Sequence, residues 1–187
     1  MLQQILDIDN NYLDGIDLTP WMHCTQQQGV PKHWFYRKSG QEHYRLLIYI
    51  SNLYKNQTLL DIGTYQGSSA LALGANPLNH IKSFDLLRQP EIDYINESNI
   101  EFKLETILEN NDELIISAPF IMLDTDHEGP FEYAFYGHLK KINYTGLLLL
   151  DDINLNDPMK RFWGHITEEK HELTSKGHWS GTGIVKM

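Results

Sequence analysis

Aspartates lie at the ends of the apolar runs of this sequence, where proteins with an open α/β sheet bind their ligands. Four runs end in or contain an aspartate and a fifth aspartate follows directly, giving Asp61, Asp85, Asp124, Asp151 and Asp152. Open α/β sheets bind ligands outside the carboxyl ends of their strands. Carboxylates gathered there repel one another unless a ribose, an ammonium group or a metal ion compensates them. The alternative is that each aspartate caps the next helix, which explains one or two of them well and five poorly.

The turn after the first of these runs has the composition of a ligand-binding loop. Residues 61–69 read Asp-Ile-Gly-Thr-Tyr-Gln-Gly-Ser-Ser. Its two glycines let the backbone pass close to a ligand, and the start of the next helix offers free N–H groups. A dinucleotide fingerprint needs Gly-x-Gly-x-x-Gly, whereas here an acid leads the motif and Tyr65 takes the place of the middle glycine. The loop therefore favours a ligand with a cationic or hydroxyl-rich portion, and Asp85 is placed to accept both hydroxyls of a ribose.

A family resemblance starts from this loop. The segment LLDIGTYQGSSALAL resembles the first motif of class I S-adenosylmethionine-dependent methyltransferases. Its form is closest to catechol O-methyltransferase and its metal-dependent relatives. The resemblance runs from Gly40 to the C-terminus, and the segments DDINLNDPMKRFW and GHWSGTG are similar to a group of small, poorly characterised methyltransferase-like proteins. It implies a seven-stranded sheet whose last strand is antiparallel, and S-adenosylmethionine (SAM) as the cofactor.

The resemblance also implies roles for individual residues. The residues that would surround the methionine part of SAM are Asp61, Gly63, Tyr65, Gly67 and Ser69. Asp85 would hold the ribose, and Asp124 would also contact the cofactor. In the catechol-type enzymes a divalent ion is bound by the aspartate after the fourth strand, here Asp124, and by an Asp-Asn pair after the fifth, here Asp151-Asp152. Three carboxylates with waters suit a hard ion such as Mg²⁺ or Ca²⁺.

His127 stands where the family has its catalytic lysine, three residues after Asp124. An imidazole titrates near neutrality, so His127 would deprotonate a substrate hydroxyl, especially one whose pKa a metal had lowered. The alternative is an ordinary polar turn over 126–130 that opens a helix, with Asp126 as its cap. The histidines nearer the C-terminus lack metal-ligand spacing, and we expect surface or structural roles for them; they are His165, His171 and His178.

Alternating strands and helices must position these side chains. Apolar runs predict strands over 58–62, 81–85, 100–104, 120–124 and 146–151. Amphipathic or small-residue patterns predict helices over 46–54, 68–76, 131–142 and 159–166. Residues 170–187 leave no room for a helix between two extended pieces and predict a closing hairpin. Together with the resemblance, this pattern predicts an α/β fold of the Rossmann-like methyltransferase type, a doubly wound and mostly parallel seven-stranded sheet with an antiparallel C-terminal strand.

Composition limits the cellular setting and the partners. The chain of 187 residues suits one methyltransferase-like domain over 1–187, and its formal net charge of −10 argues against nucleic-acid binding. No apolar run approaches the ~20 residues of a membrane span. The acidic first residues do not resemble a signal peptide, and a single cysteine, Cys24, excludes an internal disulfide. We expect a cytoplasmic protein with a small-molecule substrate and no membrane partner; whether it forms a homodimer is left open.

Residues 1–38, punctuated by Gly, Pro and Gln, predict an irregular N-terminal cap segment within that domain. We expect its removal to leave a folded domain with impaired substrate handling.

The predicted function is SAM-dependent methyl transfer to a hydroxyl of a small molecule, with or without the assistance of a metal. Two alternatives stay open. One is a nucleotide-dependent oxidoreductase, against which the missing dinucleotide fingerprint argues. The other is a non-catalytic binding protein that keeps the methyltransferase fold and its cofactor.

Overall fold

A seven-stranded sheet forms the centre of the molecule. The computed structural model describes residues 1–21 and 34–187, and its strands lie in the spatial order β3-β2-β1-β4-β5-β7-β6. Their bounds are β1 Thr58–Ile62, β2 His80–Asp85, β3 Ile100–Leu104, β4 Phe120–Leu123, β5 Leu147–Leu150, β6 Glu169–Glu172 and β7 Gly183–Lys186. The first five strands are parallel, and β7 is antiparallel to both β5 and β6. The predicted doubly wound sheet with an antiparallel C-terminal strand is confirmed.

Helices cover both faces of this sheet. They are α1 Leu2–Asp7, α2 Asn10–Asp14, α3 Tyr44–Leu53, α4 Ser68–Leu73, α5 Asp112–Ser117, α6 Pro130–Lys141 and α7 Asp157–His165, with a 3₁₀ turn over Pro90–Tyr94. The sequence pattern predicts α3, α4, α6 and α7. It misses α5, which has six residues and is too short to show a helical period.

Two apolar layers lie on opposite faces of the sheet, and neighbouring strand residues alternate between them. Leu149 of β5 belongs to the layer that includes α3 and α4, while Leu148 and Leu150 belong to the layer beneath α6 and α7. Every residue of β4 and β5 is buried, because helices cover both faces of a parallel sheet and its central strands meet no water. No helix in the described ranges is long and apolar enough to span a bilayer.

The N-terminal residues are helical and belong to the first of these layers. Ile5 of α1 and Leu13 of α2 are fully buried in it. The Arg45 guanidinium of α3 donates hydrogen bonds to the carbonyl oxygens of Asp14 and Ile16, at 3.1 and 2.6 Å. The expectation of an irregular segment is wrong for residues 2–7 and 10–14, because helices of five or six residues show too few turns for a periodic pattern. Residues 22–33 of the predicted cap lie outside the described residues.

The strand order reverses between β1 and β4, and this places the predicted loop beside the end of β4. From β1 the chain moves outward through β2 to β3 and then returns to β4 on the other side of β1. The Asp124 N–H donates to the Ile62 carbonyl at 2.9 Å. A Cβ at position 63 would stand 1.6 Å from the Asp124 carbonyl oxygen, so only glycine fits at this crossing.

Candidate active site

Asp61 lies wholly buried beneath the glycine loop, near the end of β1. The Ser83 hydroxyl of β2 donates to its Oδ2 at 2.6 Å. Burial raises the pKa of Asp61 to about 7, although the hydroxyls of Ser83 and Ser69 act in the opposite direction. Asp61 is thus connected to the loop by hydrogen bonds with the side chains of Ser83 and Ser69.

The loop itself is held in a backbone conformation that few side chains tolerate. Gly63 and Gly67 have φ angles of +98° and +84°, and Tyr65 between them has φ +42°. The Tyr65 N–H donates to Asp85 Oδ2 at 2.8 Å. Left-handed residues other than glycine are uncommon, and strained backbone of this kind concentrates at functional sites.

Asp85 ends β2 and ties two chain segments together. Its Oδ2 accepts from Tyr65 and its Oδ1 accepts from the Leu87 N–H at 3.0 Å. An ionised carboxylate offers about four acceptor positions. Two of them are therefore occupied by backbone N–H groups, and about two remain for hydroxyl groups of a ligand.

A cavity of about 1040 Å³ opens above the carboxyl ends of the strands. Eight of the ten predicted site residues line it, namely Gly63, Tyr65, Ser69, Asp85, Asp124, His127, Asp151 and Asp152. Asp61 and Gly67 do not, and both are buried. Trp34 and Trp179 also line the cavity, and they are 44% and 64% exposed. The volume accommodates a cofactor together with a small substrate.

Three carboxylates meet at the far end of this cavity. Asp124 directly follows β4, and Asp151 and Asp152 directly follow β5. Pairing of Leu123 with Leu150 brings the two strand ends side by side. The Asp151 side chain is 4% exposed and that of Asp124 is 26% exposed. The sequence predicts that these two strand ends are neighbours, because the carboxyl ends of neighbouring parallel strands lie at one edge.

His127 faces two of these carboxylates from a left-handed backbone position, φ +60°. Its Nε2 lies 3.2 Å from Asp124 Oδ1 and 3.6 Å from Asp152 Oδ2. Glu132 accepts the His127 backbone N–H at 3.2 Å, and the Asn156 side chain donates to the His127 carbonyl at 2.9 Å. Two partners thus fix the backbone that presents the imidazole.

The N-cap residue of α6 is not Asp126. Gly129 is the N-cap, and its N–H donates to Glu132 Oε2 at 3.0 Å. Asp126 accepts the N–H of Glu128, at 3.2 Å, which forms a local turn. The alternative in which Asp126 caps the helix is therefore wrong, because Gly129 occupies the N-cap position and Glu132 accepts its N–H.

Sequence reasoning misses His43 and its neighbour Glu42. His43 directly precedes α3 and its side chain is 2% exposed. Its Nδ1 lies 3.2 Å from Asp151 Oδ1, and its Nε2 lies 4.0 Å from Asp124 Oδ2. The sequence signal is weak: an acidic residue and a histidine stand directly before an amphipathic helix, which also describes an ordinary helix start.

His178 comes to the same cluster from the loop between β6 and β7. Its Nδ1 lies 3.2 Å from Asp151 Oδ2 and 3.1 Å from Asp152 Oδ1, and its Nε2 lies 3.8 Å from Glu42 Oε1. Ser180 donates to Asp152 and lies 2.9 Å from His178 Nδ1. The expectation of a surface position is wrong for His178, because the antiparallel hairpin, which residue spacing does not show, brings it to these carboxylates.

Imidazoles and carboxylates shift one another's pKa in this cluster. Burial, the largest influence on each imidazole, lowers its pKa, but the carboxylates together outweigh it. The pKa rises to about 9 for His43 and His127 and to about 10 for His178. Burial likewise opposes ionisation of Asp151, yet His43 and His178 hold its pKa well below the ordinary value. Burial and the charge of Asp151 raise the pKa of Asp124.

Three sets of side chains in the described part of the chain have the spacing to hold a metal ion. In each set, one ligand atom per residue lies within 4.8 Å of the others. The sets are Glu42, His43 and His178; His43, Asp124 and Asp151; and His127, Asp151 and Asp152. Every set includes a histidine, whereas the sequence predicts a set of aspartates alone.

The fold, rather than the sequence, connects this chain with known proteins. No protein-family model and no curated protein matches the sequence. The SAH-bound methyltransferase PaMTH1 of Podospora anserina matches with a TM-score of 0.65 and 14% identity, over 100% of this chain and 96% of that one. This chain has the class I methyltransferase fold. Cofactor-bound Rv0187 from MTB shares it with a TM-score of 0.56 and 14% identity, over 99% of this chain and 95% of that one.

A third neighbour with this methyltransferase fold is TomG of Streptomyces achromogenes, an O-methyltransferase involved in tomaymycin synthesis and seen in complex with SAM. It matches with a TM-score of 0.55 and 14% identity, over 77% of this chain and 79% of that one. At these identities the likeness is one of fold. The chemistry of this chain must be argued from its own side chains.

Proposed function

We propose that the chain transfers the methyl group of SAM to a hydroxyl of a small molecule. The observation that carries this proposal is that a cofactor-type loop and a proton acceptor share one cavity. Asp85 and the Tyr65 loop line it at one end, and His127 lines it beside Asp124. The bound cofactors of the structural neighbours support SAM as the ligand.

The cofactor would lie along the ends of β1 and β2. The free lone pairs of Asp85 would accept the ribose hydroxyls, and the backbone around Gly63 together with Ser69 would receive the methionine portion. Asp61, behind the loop, would act through Ser83 and Ser69. Leu86 and Ile107 line the cavity beyond Asp85 and would offer an apolar wall to the adenine.

The reaction is a displacement at the methyl carbon. An oxygen lone pair of the acceptor forms the new C–O bond while the C–S bond breaks, and its electron pair turns the sulfonium into the neutral thioether of S-adenosylhomocysteine (SAH). The hydroxyl proton passes to His127 Nε2. Alignment of the two reactants supplies much of the rate enhancement, and a positioned base adds to it.

His127 accepts a proton only when its ring is neutral. A pKa of about 9 keeps the ring protonated at neutral pH, because Asp124 and Asp152 stabilise its charge. A positive charge on those carboxylates would lower the pKa of His127 toward the range of a general base.

A divalent cation held by Asp124, Asp151 and Asp152 would supply the positive charge that lowers the pKa of His127. Asp151 Oδ1 is buried and has no hydrogen-bond partner among the described residues, which is the condition expected of a ligand atom. A bound divalent ion would also lower the pKa of an acceptor hydroxyl.

Calorimetry with SAH tests the cofactor half of the proposal. The Asp85→Ala variant should bind SAH more weakly by ~2 kcal/mol or more, because charge-assisted hydrogen bonds are lost. The matched control is Asp93→Ala, which removes an exposed aspartate paired with Arg88 outside the cavity. Equal SAH affinity in wild type and Asp85→Ala would refute the assignment.

Turnover on a panel of small hydroxylated acceptors tests the catalytic half, with labelled methyl appearing in the product. SAH binding without transfer across the panel would favour a non-catalytic binding protein. Binding of NADH in place of SAH would instead favour an oxidoreductase.

A further inference from the structure

We infer that His43 is a ligand of the divalent ion, together with Asp124 and Asp151, and that the ion belongs to the Mn²⁺, Co²⁺ and Zn²⁺ class rather than to Mg²⁺ or Ca²⁺. This inference rests on the proposed site and changes its ligand set. It brings into the metal centre a residue that lies outside the strand ends.

His43 is a buried polar side chain whose ring makes no hydrogen bond within the described part of the chain. Its side chain is 2% exposed, and neither ring nitrogen has a hydrogen-bond partner among the described residues. Asp151 Oδ1, which faces it, is unpartnered as well. Leaving such groups unsatisfied costs stability, so native proteins rarely do so without a functional reason.

His43 and Asp151 have the spacing of adjacent ligands of one ion. His43 Nδ1 and Asp151 Oδ1 are 3.2 Å apart, close enough for a hydrogen bond, yet the orientation of the ring does not form one. Ligand atoms that lie about 2.1 Å from a shared ion are about 3.0–3.4 Å apart when adjacent and about 4.2 Å apart when opposite. One ligand atom from each of His43, Asp124 and Asp151 lies within 4.8 Å of the other two.

The fold holds His43 in place without using its side chain. It occupies the N-cap position of α3 but makes no side-chain cap hydrogen bond. Its ring lies edge-on to Tyr44, with ring centroids 4.6 Å apart. The preceding residue, Glu42, pairs with Arg37 at 3.5 Å. Helix capping therefore does not explain the histidine, whereas a rigid ligand at a helix start fits a preorganised metal site.

The identity of the ligands selects the class of ion. Mg²⁺ and Ca²⁺ prefer oxygen ligands throughout, whereas imidazole favours first-row ions such as Zn²⁺ and Co²⁺. One imidazole with two carboxylates leaves open positions for water or substrate, as catalytic ions require. The competing account is that protonated histidines neutralise the carboxylates on their own. It explains the proximity of the charges but not the missing hydrogen bonds.

Calorimetric titration of the chelator-treated protein with MnCl₂, ZnCl₂ and MgCl₂ tests the inference. We expect Mn²⁺ and Zn²⁺ to bind about tenfold or more tightly than Mg²⁺. The His43→Asn variant puts an amide oxygen near the ring nitrogen's place, and its preference over Mg²⁺ should fall by about tenfold or more. The matched control is His171→Asn, which removes an exposed histidine beside Glu169 and should leave both affinities unchanged.

Pulsed electron paramagnetic resonance of the Mn²⁺-loaded protein reads the ligand directly. Modulation from an imidazole nitrogen should appear in the wild type and shift when the histidines carry isotope-labelled nitrogen. It should persist in the double variant His127→Asn, His178→Asn, and this measurement stays decisive if His43→Asn does not fold.

Several outcomes would overturn the inference. They are the absence of ion binding, equal affinity for Mg²⁺ and Mn²⁺, an unchanged preference in His43→Asn, and loss of the nitrogen signal in the double variant. The titration needs neither SAM nor an acceptor. Failure of this inference is therefore distinguishable from failure of the proposed methyl transfer.

Discussion

Deleting residues 1–21 should abolish the folded state rather than detach a cap. Ile5, Leu13 and Leu18 are 0–5% exposed in the layer under α3 and α4. Burial of each such side chain contributes about 1.5–3 kcal/mol, or about 4.5–9 kcal/mol for the three. A domain's whole stability is about 5–15 kcal/mol. The deletion also removes the carbonyl oxygens that Arg45 contacts, and hydrogen bonds from a charged group add to the loss.

A point variant tests the same packing with a smaller perturbation. Leu13→Ala should lower the free energy of unfolding by about 2–5 kcal/mol, because the side chain leaves a cavity in the core. Tyr12→Ala on the same helix is the control, since Tyr12 is 62% exposed. Its loss should be about 1 kcal/mol, from the edge-to-face contact with Tyr49.

Urea unfolding followed by circular dichroism measures both variants, and SAH calorimetry shows whether damage reaches the cavity. His43 precedes the helix that this segment packs against, so loss of stability and loss of metal affinity should appear together. A deletion variant that unfolds cooperatively at the wild-type midpoint would refute the reasoning. The segment would then be the detachable cap that its composition predicts.

Two further predictions concern the loop. The pKa of Asp61 is about 7 in the folded state against an ordinary 3.8. Between pH 3.8 and about 7 the folded state therefore binds a proton at Asp61 that the unfolded state does not. The contribution of Asp61 to stability falls as the pH rises through this window. The wild type should therefore lose stability relative to Asp61→Asn across that window in urea titrations, and a difference that does not change with pH would contradict the assignment. Gly63→Ala should lower the melting temperature and should weaken SAH binding by about tenfold or more, because its Cβ would stand 1.6 Å from the Asp124 carbonyl oxygen. Gly137→Ala is the control, since a Cβ there would meet nothing within 4 Å. Equal behaviour of the two variants would show that the close approach at position 63 is unimportant.

The parts of the fold that could be predicted are those with a local signal. β4 and β5 are apolar along their whole length because both faces are covered. The glycines of the loop mark backbone that other residues cannot adopt. Once the strands are known, parallel pairing brings Asp124 next to Asp151 without further information.

The parts that could not be predicted depend on packing between distant segments. His43 reaches the site because α3 lies on the sheet with its start at the carboxyl edge, and His178 reaches it through the turn of the hairpin. Neither position follows from residue spacing. For His127 the position was predictable but its pKa was not, since the shift depends on the distances to Asp124 and Asp152.

The place of β7 in the sheet bears on how the chain is made. β7 follows every other strand in sequence, yet it fills the position between β5 and β6. Until residues 183–186 leave the ribosome, β5 is an edge strand of four leucines with unpaired backbone groups. A stalled or prematurely terminated product would expose that edge to pairing with a second copy. Termination of synthesis before residue 183 should therefore yield aggregates rather than partly folded protein.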